Sequence, residues 1–164
     1  KKKKKEKCTS WGVYQHYGGR PLITYEDKVA KAVELCAGGN KEAHLYLNVI
    51  CKAARFIDDL FDEKDKWTGE KTYDLAFLLL VELPDNPFFI ANRHSLLPLH
   101  IVALNAWKDA NSWEDAGDTQ RTYALVIRDT LTELGLMTAF LTGGKDHLEK
   151  VSLTVRELFL KEEF

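Results

Sequence analysis

One segment of the sequence, residues 40–63, limits the possible folds more than any other. Its apolar residues recur at the three- and four-residue spacing of an α-helix, and they cover an arc of about 200° at ~100° per residue. A helix with so wide an apolar face is surrounded by protein on most of its sides. The segment therefore predicts a helix packed among several others. No run of alternating apolar and polar residues predicts a strand.

Start and stop signals for helices recur along the rest of the chain. Thr24 with Asp27 resembles a capping box, and Gly38-Gly39 is typical of a helix end. Signals of these kinds predict six helices, over about residues 24–37, 40–63, 72–83, 95–113, 118–142 and 146–159. The predicted fold is all-α: a compact bundle of about six helices with short connections, after an irregular N-terminal segment.

Two of the predicted helices carry more specific expectations. Residues 72–83 are apolar nearly all round, which is typical of a helix at the centre of a bundle. Ser95 is expected to cap the fourth helix, because a proline then falls in the first turn, where its missing N–H costs little. Residues 84–94 are then a loop, anchored to the core by Phe88 and Phe89.

Length and charge limit the number of domains and the kind of partner. The 164 residues fit one helical domain, residues 8–164, behind a basic tail, residues 1–7. The net charge of −2 provides no overall field that attracts nucleic acid, so only the lysine-rich tail offers such a contact. A tail surrounded by solvent is the favoured interpretation.

The cysteines and the apolar runs bear on the expected cellular location. Cys8, Cys36 and Cys51 are an odd number without CxxC spacing, so neither a disulfide framework nor a zinc site is predicted. No apolar run approaches the ~18 residues that a membrane span needs, and no signal peptide is recognisable. The expected location is the cytoplasm, and no membrane partner is expected.

The predicted second helix also carries an acidic cluster. Asp58, Asp59 and Asp62 lie within about one turn of each other, where like charges repel by a few tenths of a kcal/mol per pair. They lie towards the C-terminal end of the helix, where the helix dipole disfavours anions. A divalent cation would offset this repulsion, because hard cations prefer carboxylate oxygens. The alternative is a solvated acidic stripe that pairs with Arg55.

The run Asp58-Asp59-Leu60-Phe61-Asp62 resembles the DDxxD motif of class I isoprenoid (terpene) synthases. In that family the motif lies on a helix of an all-α bundle and binds Mg²⁺, which grips the diphosphate of the substrate. The resemblance therefore implies Mg²⁺ and a diphosphate-bearing ligand. The second metal motif of that family is not present, so a terpene substrate is not carried over.

Further candidate ligands lie on the predicted fourth and fifth helices. Asp109, Asp129 and Glu133 are expected to join the metal site, because bundles build such sites from carboxylates on facing helices. The alternative is that these side chains face water or pair with lysines. The candidate phosphate ligands, chosen because a guanidinium binds phosphate through two parallel hydrogen bonds, are Arg55, Arg93 and Arg128.

These residues support one leading function and two alternatives. The leading hypothesis is a Mg²⁺-dependent enzyme, a lyase, transferase or hydrolase, that acts on a phosphate- or diphosphate-bearing small molecule through unassigned catalytic residues. An all-α nucleoside-triphosphate pyrophosphohydrolase is the second. The third is a non-catalytic structural or protein-interaction protein, homo-oligomers included, for which four Trp and eight Phe are potential interface anchors.

Overall fold

The computed structural model describes residues 24–62, 65, 67–113 and 116–160, and the basic tail and the irregular N-terminal segment lie outside these ranges. Within them the chain is helical and contains no strand, so the all-α prediction is confirmed. The helices are α1 (Tyr25–Ala37), α2 (Lys41–Asp62), α3 (Gly69–Phe77), a π-helical segment (Leu78–Glu82), the single turn α4 (Leu83–Asp85), α5 (Pro87–Ser112), α6 (Asp118–Arg128) and α7 (Thr130–Phe159).

The first two helices begin and end where their local signals predict. The Thr24 hydroxyl accepts a hydrogen bond from the Asp27 backbone N–H, and the Asp27 carboxylate accepts one from the Thr24 N–H, which completes the capping box. Gly38 ends α1 in the left-handed conformation, at φ 56°. The Asn40 side chain then accepts from the backbone N–H groups of Glu42 and Ala43 and caps α2.

Four long helices surround the core. α1 packs against α2 and α7, and α5 packs against α2 and α7 on the other side, with α6 lying along α5. The largest fully buried side chain in the described residues is Tyr46, whose ring lies 5.7 Å from that of Phe88 and 6.1 Å from that of Phe89. Phe88 and Phe89 are buried as predicted, and they join α5 to α2.

The start of α5 differs from the prediction. α5 begins at Pro87 rather than after Ser95, and its cap is Asn86, whose side-chain oxygen accepts from the Phe89 N–H at 2.9 Å. The pair Asn86-Pro87 supplies a capping side chain followed by a residue that needs no N–H partner. These two signals together outweigh the single signal at Ser95. Residues 87–94 are therefore helical, and Pro98 lies inside α5.

The predicted third helix lies at the edge of the bundle and not at its centre. It is divided into α3, the π-helical segment and α4, and it leaves Tyr73, Phe77 and Leu80 exposed, Leu80 by 75%. Only Leu78 and Leu83 on this stretch are buried. These elements pack mainly against α2, on one side of the stretch, which accounts for the exposed apolar residues on its other side.

The last third of the chain contains one predicted break and one unexpected break. Gly144 has φ 68° and ψ −162°, which bends α7 where a helix end was predicted. A second break at Asp129 separates α6 from α7 and was not predicted, because neither Gly nor Pro marks it. No helix in the described part of the chain is long and apolar enough to cross a membrane.

Candidate functional site

The predicted acidic cluster at the end of α2 consists of three aspartates. In the structure their side chains have different surroundings. Asp58 is 9% exposed and faces α5, where the indole N–H of Trp107 donates to its Oδ1 at 3.4 Å. The Trp107 ring meets the Phe61 ring edge to face, with centroids 4.8 Å apart. Asp62 is the exposed last residue of α2. The Asp58 carboxylate therefore contributes to the packing of α2 on α5.

Asp59 points instead towards two cations. The Lys71 ammonium donates to its Oδ2 at 3.4 Å, and the Arg55 Nε lies 3.9 Å from its Oδ1. Arg55 also approaches Glu26 on α1, with Nη1 3.8 Å from the carboxylate. These contacts join α2 to α3 and to α1. Since Arg55 and Lys71 are partly solvated, each ion pair contributes about 0–1 kcal/mol.

The candidate ligands on α5, at the break between α6 and α7, and on α7 also have protein partners. Asn105 donates to the Asp109 carboxylate at 2.9 Å, and the Thr132 hydroxyl donates to the Asp129 carboxylate at 2.6 Å. Burial raises the pKa of Asp129, while the bond from Thr132 acts in the opposite direction.

Glu133 binds a cation of the protein itself. Both of its oxygens accept from the Arg156 guanidinium, at 2.7 and 3.2 Å, in a bidentate pair that also raises the pKa of Arg156. Across residues 24–62, 65, 67–113 and 116–160, no group of three or more His, Cys, Asp or Glu side chains is placed to hold a metal ion. The six predicted ligands therefore do not form such a group, although Asp58 and Asp129 both lie near the Tyr25 hydroxyl. Burial raises the pKa of Tyr25, and the two carboxylates raise it further.

The three arginines predicted to bind phosphate lie in different places. Arg55 lies beside Asp59, and the Arg128 Nη2 donates to the Asn111 side chain on α5 at 2.7 Å. Arg93 lines a groove on α5 together with Ile90, His94, Leu97, Pro98 and Ile101. The structure therefore does not place them around one anion site.

That groove belongs to a larger surface, which we call the outer α5 face. It lies on the side of α5 opposite the core and consists of eight exposed residues, namely Ile90, Arg93, His94, Leu97, Pro98, Ile101, Leu104 and Lys108. Ile90, Ile101 and Leu104 are 59%, 62% and 54% exposed. This surface was not predicted from the sequence, because Ile90 and Arg93 fall within the predicted loop, residues 84–94.

A further polar contact lies between α2 and α5. The hydroxyl of the fully buried Tyr46 lies 2.7 Å from the Nε2 of His100. The His100 ring stacks against Phe89 with an interplanar angle of 7°. Burial lowers the pKa of the His100 imidazole, so the neutral ring is favoured in the folded protein.

The two described cysteines are free and poorly suited to nucleophilic chemistry. Burial raises the pKa of Cys36 to about 12 and that of Cys51 to about 11. Very little thiolate is present at neutral pH, and the thiolate is the nucleophilic form. Both side chains therefore act as small apolar groups in the bundle.

Comparison of the chain with protein-family models, with curated proteins and with solved structures found no match.

Proposed function

We propose that this chain is a non-catalytic helical protein that binds a protein partner through the outer α5 face. The observation that carries the proposal is the distribution of apolar residues around α5. On one side Phe88, Phe89, Leu96, Ala103 and Ala110 are buried in the bundle. On the opposite side lie the aliphatic side chains of the outer α5 face.

A helix that is apolar on both sides is normally buried on both sides. In the described part of the chain, only one side of α5 is covered. Fully burying an aliphatic side chain contributes about 1.5–3 kcal/mol. Ile90, Ile101 and Leu104 are each more than half exposed, so a partner that covers them gains on the order of 3 kcal/mol.

The surroundings of the candidate metal ligands do not favour the alternative function, a metal-dependent enzyme. Asp59 and Glu133 are paired with cationic side chains, while Asp109 and Asp129 accept hydrogen bonds from neutral neighbours. A metal ion bound by these carboxylates would have to displace their present partners. Mg²⁺-dependent action on a phosphorylated small molecule remains a prediction, which is tested below.

The proposal predicts that the outer α5 face contacts another protein in the cell. A photo-crosslinking amino acid at position 101 should give a crosslinked product of defined mass after irradiation of cells that express the full chain. The matched control carries the same amino acid at position 153, because Leu153 is 67% exposed on α7 and lies outside this face. Absence of any product at 101 beyond that at 153 would refute the proposed function.

A further inference from the structure

We propose that α6 is a strap that opens from α5 as a unit, between Gly117 and Asp129, while the rest of the bundle stays folded. The structure shows α6 in its closed position on α5. Opening does not require a partner on the outer α5 face, so this movement is independent of the proposed function. The ends of α6, its packing and its position outside the core support this movement.

The ends of α6 are less firmly fixed than those of α1, a helix of similar length. α6 has 11 residues and α1 has 13. Gly117 precedes α6 without a capping side chain, and Asp129 follows it at φ −76° and ψ 7°. α1 has the capping box of Thr24 and the left-handed Gly38. Since an isolated helix of this length is marginal in water, α6 depends on α5 to remain helical.

The residues of α6 add to this dependence. Four of its 11 residues are β-branched, against two of the 13 in α1, and such side chains lose rotamer freedom in a helix. The Arg121 guanidinium lies 3.9 Å from the Asp118 carboxylate, and the Thr122 hydroxyl donates to the Asp118 carbonyl at 2.9 Å. Because both partners of each contact lie on α6, these contacts do not attach it to the bundle.

The packing of α6 buries little apolar surface. α6 packs mainly against α5, with a smaller contact to α7. Ala124 is buried, whereas Tyr123, Leu125 and Val126 are 60%, 58% and 67% exposed. α1 instead buries three residues and packs against both α2 and α7. Since hydrophobic stabilisation grows with the apolar area removed from water, α6 gains less from packing than α1 does.

A hydrogen bond near the C-terminal end of α6 fastens it to α5. The Arg128 Nη2 donates to the Asn111 side-chain oxygen at 2.7 Å, and both residues are half-buried. Arg128 directly precedes Asp129, so this bond holds α6 next to the break about which it turns. Asn111 therefore acts as the latch of α6.

The opening of α6 leaves the core intact. Among the described residues, the core comes from α1, α2, the π-helical segment, α4, α5 and α7, and none of it from α6. Elements with few buried apolar contacts open at lower free energy than the core does. Gly117, which has no Cβ, and Asp129 can absorb the change in backbone angles. Opening uncovers Ala124 and the part of α5 around Asn111.

Hydrogen exchange of the full chain at neutral pH, followed by NMR, tests this movement. The comparison is between the amides of residues 121–128 in α6 and 28–37 in α1, which lie beyond the unpaired first N–H groups of each helix. Protection factors in α6 should be about 100-fold lower than in α1 and similar to one another. Equal protection in the two helices, or none in α6, overturns the proposal, because α6 would then open only with the bundle or never close.

The variant Asn111→Ala distinguishes the strap from unfolding of the whole bundle. It should lower the protection of α6 about fivefold, as expected for one lost hydrogen bond, and leave that of α1 unchanged. Asn105→Ala is the matched control, because Asn105 is exposed on the same helix and donates to Asp109 within it. This control should leave the protection of both helices unchanged. A loss of equal size in α1 and α6 of Asn111→Ala would show that they unfold together and would refute the strap.

Discussion

His100 is the titratable side chain that joins α2 to α5 most directly. Its Nε2 lies 2.7 Å from the Tyr46 hydroxyl, and its ring lies parallel to those of Tyr46 and Phe89. Protonation would place a positive charge on a ring that is half-buried between α2 and α5. The contact between His100 and Tyr46 orients α5 on α2. The packing of these two helices is therefore sensitive to acid.

The sign of this effect follows from the lowered pKa of His100. The unfolded chain, with a histidine pKa of about 6.5, binds a proton more readily than the folded chain. The stabilisation from neutral His100 is present above the pKa of the unfolded state, and it is lost as the pH falls through the lower folded value. The free energy of unfolding of the wild type should thus decrease between about pH 7 and pH 5.

Urea unfolding of the wild type and of His100→Asn at both pH values measures this effect. The variant should be less stable at neutral pH, by about 1–2 kcal/mol for a buried hydrogen bond and lost packing, and its stability should depend less on pH. His44→Asn is the control, because His44 is exposed on α2. An unchanged pH dependence in His100→Asn would contradict the assignment.

Asp62 is the residue at which the metal hypothesis is tested most cleanly, because it is exposed and its substitution leaves the core intact. If Mg²⁺ and a diphosphate bind as one assembly, the two together raise the melting temperature more than either alone. From the surroundings of the carboxylates, we expect no rise at millimolar concentrations, either in the wild type or in Asp62→Asn. A rise in the wild type that is absent in Asp62→Asn would restore the metal-dependent enzyme.

At the scale of the element, the start of α5 depends on Asn86. Its side-chain oxygen caps the helix, and its Nδ2 donates to the Glu42 carbonyl of α2 at 3.1 Å. One buried side chain thus satisfies a helix end and joins two helices. Asn86→Ala should lower the free energy of unfolding by about 1–3 kcal/mol, because both bonds are lost.

Ser95→Ala is the matched control for Asn86→Ala in the same urea titration. Ser95 lies inside α5, and alanine is the better helix former, so this change should leave stability within about 0.5 kcal/mol of the wild type. If Ser95→Ala cost as much as Asn86→Ala, the helix would begin at Ser95 in solution.

The elements show how far local sequence signals predict this fold. Thr24, Gly38 and Asn40 act within their own turn of the chain, so their roles could be read directly from the sequence. The proximity of the three aspartates of the acidic cluster along α2 could also be predicted from helical spacing. The orientation of each carboxylate could not, because it depends on Trp107 and Lys71, which lie 49 and 12 residues further along the chain.

The periphery of the bundle was harder to predict for a related physical reason. An apolar residue is compatible with burial in the bundle or with burial against another chain, and composition does not distinguish the two. Residues 72–83 were therefore expected at the centre, and the outer α5 face was not recognised. Its signal was present in the sequence as the alternating steps of four and three from Ile90 to Lys108.

At the scale of the whole molecule, the four long helices form a ring in which the first and last are neighbours. α1 packs against α7 and α2, and the Tyr25 and Phe159 rings lie 6.0 Å apart. The core includes Val33 and Cys36 from α1 together with Val151 and Val155 from α7. Both ends of the described chain thus contribute to one continuous core.

This pairing of α1 with α7 has a consequence for the order of folding. During synthesis α1 leaves the ribosome before α7, its main neighbour, which is made about 100 residues later. The apolar side of α1 must wait for that neighbour, covered only in part by α2. Closing so long a loop adds an entropic cost that grows slowly, as (3/2)RT ln n, so the delay is chiefly one of time. A ribosome-bound chain that ends before Gly144 should therefore expose Val33 and Cys36 to chaperones, and the core should close once the rest of α7 has left the ribosome.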